Sequence, residues 1–589
     1  MRRRRPAAAG HADPFTGRPV KGTEFVLRSI VADGVDHVFM IPGGLIDPFY
    51  PALQAVPELT PIVTAQEGGA AFAADGYARA SGHFGACLVI GGPGLTNTVT
   101  AISAARTDGV PLLVLSGEVA THVEGLGFFQ DASAGTFDDD AIVRPVTAES
   151  FSVPDIRLLH HAYAGAIRRM FDGMRAPVHL SLPRDVQTGE IAVEPTAVSV
   201  DLRSGRPLDV DATQAALTEL AAERPRRIVL LAGYDVDDAK DAPALIALAE
   251  RFHLPVATTQ LAKGAFPEDH PLSLGVFGYA GSNRATTALL DGQPDLLVAL
   301  GSAFNQRQSM HWTDRLRPRC GTLTIDTSAV PVTVASAAIR FVHGHPAALV
   351  RWLAKDDVAT SLLADGVDER ADWLRPIQQQ SRYLDLDNTT SDQVPIHPAR
   401  LVREARHALP RDTIAVCDSG AHRAFTVHYW DSYGPRQFIT AATLGPMGWA
   451  IGAGIGAAAA RPGQPVAVFT GDGCMQMHGM EVQTAARYGL RVIFLVSNNG
   501  SLGNVWLRAH RLGALPDALT TVVDHDWAAF ARALSCPAET VRTPDELGPA
   551  LQRAAEADGP YLLDVKTERD APTPVEPYQQ AASSWSYEA

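Results

Sequence analysis

Asp472 and Asn499 are the residues whose types and separation most plainly suit chemistry. Asp472 sits in Gly471-Asp472-Gly473, Asn499 in Asn498-Asn499-Gly500, and twenty-four residues, Cys474 to Ser497, lie between the two motifs. One carboxylate and one side-chain amide oxygen are hard donors that suit Mg²⁺ while it also holds a diphosphate. The flanking glycines let backbone N–H groups approach phosphate oxygens. Either motif alone is more often an ordinary turn. The elements around them make the pairing informative: an apolar run at 466–469 reads as a buried strand, a helix-like segment follows, and a second apolar run at 492–496 stops at the asparagines. Polar residues then stand at the carboxyl ends of two strands, where open α/β sheets bind ligands.

A second constellation lies near the front of the chain. Glu67, within Thr64-Ala65-Gln66-Glu67-Gly68-Gly69, falls at a strand-to-helix junction. A lone Glu there would simply stabilise a helix N-terminus. Here it is followed by Gly91-Gly92-Pro93-Gly94-Leu95-Thr96-Asn97 and preceded by Ile41-Pro42-Gly43-Gly44. Glycine turns at successive strand ends make a concave edge lined by backbone.

The spacing of the two later motifs resembles the diphosphate-binding signature of thiamine-diphosphate enzymes. With Glu67 and the glycine turns added, the chain resembles the acetolactate synthase / pyruvate oxidase branch of that family over nearly its whole length. The resemblance implies thiamine diphosphate and Mg²⁺ as cofactors. It makes Glu67 the carboxylate that hydrogen-bonds the aminopyrimidine and switches the coenzyme on, which needs a dry pocket and a carboxyl able to share a proton with a weak ring base. Gly43, Pro93 and Asn97 match positions near the pyrimidine, and Phe129-Gln130 matches an element whose Gln lies over the cofactor and reaches substrate. Asp418-Ser419-Gly420-Ala421-His422 matches a diphosphate-contacting segment, which brings in Gly420 and His422. Leu444-Gly445-Pro446-Met447-Gly448 matches a turn in which Gly445 offers a carbonyl and Met447 wedges between the rings. Gly471, Asp472, Gly473 and Cys474 form the phosphate loop, Cys474 as a small packed residue. Asp472, Asn499 and the Ser501 carbonyl are the implied metal ligands. In this family the coenzyme lies between two subunits, so a homodimer or homotetramer is implied.

The fold expected is α/β, with three doubly wound parallel-sheet domains: pyrimidine-binding, central and diphosphate-binding. Alternating strand-like and helical segments run over residues 21–190, 207–355 and 395–570. Residues 356–394 read as a linker with some helix, 1–20 as a disordered basic tail and 571–589 as a C-terminal tail. Three units of similar size suggest an old triplication. Gly452, Gly454 and Gly456 mimic a dinucleotide loop, but no strand precedes them, so close helix packing is the favoured reading.

Composition narrows the partners. The 589 residues carry a formal net charge of −15, which argues against nucleic-acid and membrane-surface binding. Arg2 to Arg5 form the only basic run, with no apolar segment after them to make a signal peptide or membrane start. The five cysteines are scattered without CxxC spacing, which fits a reducing cytoplasm.

Departures from the family pattern bear on substrate. Arg144-Pro145-Val146-Thr147 is followed by Ala148-Glu149-Ser150 instead of a basic residue, and residues 134–140 form an extra acidic insertion. The position at which acetolactate synthases carry a selecting Trp counts here to Arg508. Phe129 and Arg508 are therefore the candidate substrate residues, Arg508 for an anionic acceptor. The function expected is decarboxylation of a pyruvate-like 2-keto acid with acyl transfer to an aldehyde or keto-acid acceptor, specialised away from plain acetolactate synthesis. A simple decarboxylase and a flavin-linked oxidase are the alternatives. Lys263-Gly264 and Pro267-Glu268-Asp269-His270-Pro271 match flavin-associated elements, but residues 301–307 do so only in part, so FAD is disfavoured.

Overall fold

A computed structural model describes residues 18–202, 207–236, 240–328, 338–513 and 517–582. Most of the expected basic tail and the end of the C-terminal tail lie outside the described residues.

The apolar runs become strands of three six-stranded sheets, parallel throughout. Strands such as Val466–Gly471 and Leu112–Glu118 are buried along their whole length. That is why they read as continuous apolar runs: helices cover both faces of a parallel sheet. Counting strands within each domain in chain order, the first and third sheets share the arrangement 2-1-3-4-6-5, while the central one is 3-2-1-4-5-6. The first and third domains are thus topological twins, and the central domain is wound differently. An antiparallel pairing of Val20–Lys21 with Glu190–Ile191 closes the first domain on itself.

In the 2-1-3-4-6-5 order the crossovers reverse between strands 1 and 3, and the crevice at that switch point is where such sheets take ligands. In the third domain these strands are Ile414–Cys417 and Val466–Gly471. Asp418 and Asp472 follow them directly.

The two twins are locked together by helices Glu67–Ser81 and Trp449–Ala460. A Cβ on Gly456 would stand 1.8 Å from the Ala73 carbonyl oxygen, and one on Gly76 would stand 2.1 Å from that of Ala453. The backbones touch, so the glycine run serves close helix packing. Polar bonds fix the crossing: Trp449 Nε1 donates to Asp75 at 2.7 Å, and Arg79 bridges Asp75 and Asp108.

The stretch expected to be linker is largely structured. Helices Asp357–Ala364 and Val367–Gln378 place Leu362, Leu363, Leu374 and Ile377 in the central core. The charged residues of the second helix hide this in the sequence. Arg370, wholly buried, donates to the carbonyls of Arg226 and Leu363. Helix Glu576–Ala582 likewise lies within the expected C-terminal tail, with the Tyr578 ring 4.2 Å from that of His311.

Candidate functional site

At the switch point of the third domain lies an open cleft. Residues at the starts of three helices line it, Ala421, Asp472 and Gly503. Helix N-termini present unpaired N–H groups and a positive dipole end to an anion.

The expected metal ligands come together here. Asp472 is 2% exposed; its Oδ1 accepts from Gly473 N at 2.9 Å and its Oδ2 from Ser501 N at 3.2 Å. Asn499 Oδ1 accepts from Ser501 N and Oγ, both at 3.1 Å. Burial pushes the Asp472 carboxyl up to about 6 despite those backbone donors. A bound cation would reverse that shift. Among the described residues no three His, Cys, Asp or Glu cluster into a metal site. A site of one carboxylate, one amide and one carbonyl is outside that description and still supplies hard oxygen.

The cleft wall has no room for side chains where a diphosphate would lie. A Cβ on Gly420 would meet the His422 ring at 2.5 Å, and one on Gly473 would meet Leu502 at 2.8 Å and the Met447 methyl at 3.1 Å. Gly471 packs against the same His422 ring. Half-buried His422 has a buried Nε2 with no partner, and desolvation drives its imidazole down to about 3. A glycine-walled cradle, an unpartnered buried ring nitrogen and convergent hard oxygens fit a metal-bound diphosphate. Cys474 is buried, with Sγ 3.3 Å from the Ser419 carbonyl oxygen, and burial holds its thiol far above the usual range. It is packing, not a nucleophile.

Asp418, which carries no role in the sequence motifs beyond its place beside Gly420, organises this cleft. Its carboxylate accepts from Ser419 N, Gly448 N and Thr470 Oγ1. It thereby joins the turn bearing Gly420, the turn bearing Gly445 and Met447, and the strand leading to Asp472. Gly445 and Gly448 have φ of +66° and +81°, which favour glycine. Arg569, also in the cleft wall, donates from Nε to the Asn499 carbonyl at 2.9 Å.

The front half forms a separate group. Glu67 opens helix Glu67–Ser81, and Asn97 Nδ2 donates to its Oε2 at 3.0 Å. Pro93 starts the short helix Pro93–Thr96 that sets Asn97 in place. Gly43 is held by Tyr50, and a Cβ there would stand 2.6 Å from Ile90. Gln130 adopts a φ of +62° beside Phe129, which is 84% exposed. Glu481, missed in the sequence, reaches from the third domain to accept from Ala65 N and Gln66 N. More than four hundred residues separate it from that turn, so no local pattern could have exposed the link.

Glu67, Pro93, Asn97 and Gln130 do not line the diphosphate cleft of the same chain. Arg508 also stays outside it, exposed on helix Gly503–Leu512, one turn beyond the lining residue Asn504. In the central domain, Lys263 and Glu268 of the flavin-associated elements form a buried ion pair at 2.6 Å, and Glu268 accepts from Ser432 N.

Comparison with known proteins agrees with this geometry. Residues 20–139 match the thiamine pyrophosphate enzyme N-terminal TPP binding domain, 214–351 the central domain and 418–565 the C-terminal TPP binding domain. A probable acetolactate synthase large subunit of Methanocaldococcus jannaschii is 32% identical over 578 residues, 95% of this chain and 94% of that protein. The acetolactate synthase large subunit of Corynebacterium glutamicum is 31% identical over 96% of this chain and 89% of its own length. The isozyme 1 large subunit of Escherichia coli is 31% identical over 83% of this chain and 84% of its own. Three matched domains in order, with relatives similar over nearly their full length, establish that the chain belongs to the thiamine pyrophosphate enzymes, within the group of the acetolactate synthase large subunits.

Proposed function

We propose that the protein is a thiamine-diphosphate- and Mg²⁺-dependent carboligase of the acetolactate synthase type. It decarboxylates a pyruvate-like 2-keto acid and transfers the acyl unit to an aldehyde or keto-acid acceptor. The observation that carries this is the convergence of Asp472, Asn499 and Ser501 on a glycine-walled cleft lined by three helix starts. When bound, the coenzyme supplies the electron sink and the carbanion equivalent.

The chain supplies the rest. Asp472, Asn499 and the Ser501 carbonyl hold the metal, and His422 and the backbone around Gly420 and Gly473 receive the diphosphate. Met447 and the Gly445 carbonyl would contact the rings of the coenzyme. Glu67 keeps a proton between its free oxygen and the pyrimidine, while Asn97 fixes its other oxygen. Gln130 orients the substrate carbonyl. Phe129 keeps water out once a second subunit covers it.

A homodimer, alone or within a tetramer, is the assembly that the separation of the two residue groups supports. Leu126, Phe128, Phe129 and Phe137 are exposed in the front domain, and Met477 and Met480 in the back one. Apolar surface of this kind marks an interface. Five free, buried cysteines suit the cytoplasm, and no described helix is long and apolar enough to cross a membrane.

The test is consumption of pyruvate by protein loaded with thiamine diphosphate and Mg²⁺, with and without candidate acceptors, products being identified by mass spectrometry. A carboligated product supports the proposal. Release of free aldehyde alone, whatever the acceptor, rejects it, as does flavin absorbance coupled to oxidation.

A further inference from the structure

One cation stands in the diphosphate cleft and belongs to neither of its sequence motifs. Among the residues lining the cleft, Arg569 is the only lysine or arginine. Its Nε is committed to the Asn499 carbonyl at 2.9 Å, and its guanidinium carbon lies 4.8 Å from the centre of the Trp506 ring. Trp506 is itself pinned, its Nε1 donating to Asp570 at 2.7 Å. A Cβ on Gly500 would stand 2.8 Å from Arg569 Nη2, so a glycine there with φ of +63° lets the guanidinium lie against the metal loop. Among the described residues Arg569 has no ion-pair partner, and its two terminal nitrogens have no hydrogen-bond acceptor.

We propose that Arg569 is a second cation of the diphosphate site, placed to bind the outer phosphate beside the metal. The proposal rests on the thiamine-diphosphate reading above and deepens it. The charge balance supports it: a diphosphate together with the Asp472 and Glu568 carboxylates of the cleft carries more negative charge than Mg²⁺ offsets, and Arg569 is the one guanidinium among the lining residues. A guanidinium held rigidly by stacking and one backbone acceptor loses little freedom on binding, and its remaining N–H groups suit phosphate oxygens.

The experiment titrates thiamine diphosphate and thiamine monophosphate separately, by calorimetry in excess Mg²⁺, into wild type, Arg569→Gln and Arg569→Lys. Thermal melts first confirm that each variant folds. Arg569→Gln is expected to weaken the diphosphate about tenfold while changing the monophosphate far less. The lysine variant should recover most of the loss, and the gap should narrow as KCl rises. Equal weakening of both ligands without rescue by lysine would mean that Arg569 only props the Asn499 loop, and would overturn the proposal. An unchanged ratio of the two affinities would overturn it as well. Wild-type protein that binds neither ligand sinks the functional reading itself, and this proposal with it.

Discussion

Asn97 Nδ2 donates to Glu67 Oε2 at 3.0 Å, and no other described group engages that carboxylate by a hydrogen bond. One oxygen is fixed and the other is free to meet a ligand. A helix-capping glutamate would turn its oxygens onto its own backbone, a task done here by Gln66, whose Oε1 accepts from Gly69 N.

Glu67→Gln keeps the shape and the Asn97 contact but cannot exchange a proton. Thiamine diphosphate affinity is expected to stay within a few-fold of wild type. Hydrogen–deuterium exchange at the coenzyme C2, followed by NMR, should slow by about 10²–10⁴-fold, the usual worth of a positioned acid–base group. Exchange at the wild-type rate would remove Glu67 from its role.

Asp472→Ala deletes the only carboxylate among the metal donors. Calorimetry in Mg²⁺ should show thiamine diphosphate binding weakened by at least about 100-fold, since a hard cation would be left with neutral oxygens. Undiminished affinity would contradict the metal assignment.

Much of this was legible in the sequence, for a physical reason. Asp472, Asn499 and Glu67 follow strands whose apolar runs are continuous, and glycines that must admit backbone or phosphate cannot be replaced, so local spacing carries the signal. Asp418, Glu481 and Arg569 act across hundreds of residues through single contacts, and a one-dimensional pattern leaves no trace of that. Helices Asp357–Ala364 and Val367–Gln378 read as linker in the sequence because only one narrow face of each is buried. Arg508 rests on a count from the asparagines, and a count does not say which side of a helix faces the cleft.

Beneath the Gly91-Gly92 turn, Glu118 is 1% exposed and its Oε2 has no partner. Burial, reinforced by the nearby charges of Asp139 and Asp131, pushes its carboxyl up to about 7 even though Val119 N and Ala132 N donate to its other oxygen. Unfolded, the same group ionises near about 4.3. Between those values the folded chain holds a proton that the unfolded chain has lost, so this group's contribution to stability falls as pH rises from about 4 through about 7. Melting temperatures across that range should fall less steeply for Glu118→Gln than for wild type. Parallel curves would reject the neutral carboxyl.

The contact between the twin domains tolerates no added carbon. Gly456→Ala would drive a methyl into the Ala73 carbonyl and the Tyr77 amide. It should destabilise the protein by about 1–3 kcal/mol, the cost of overpacking a rigid contact, seen as a lower urea midpoint. Gly463→Ala, at a turn with open space around it but a φ of +82°, is the control for backbone strain alone.

The central claim is that Glu67 of one subunit completes the cleft built on Asp472 of another. Mixing inactive Glu67→Gln and Asp472→Ala chains, with exchange proved by co-purification of differently tagged subunits, tests it most directly. In a two-fold dimer each mixed pair would hold one site with both lesions and one with none, so activity should return to about a quarter of wild type. Mixed dimers no more active than either parent would contradict the account.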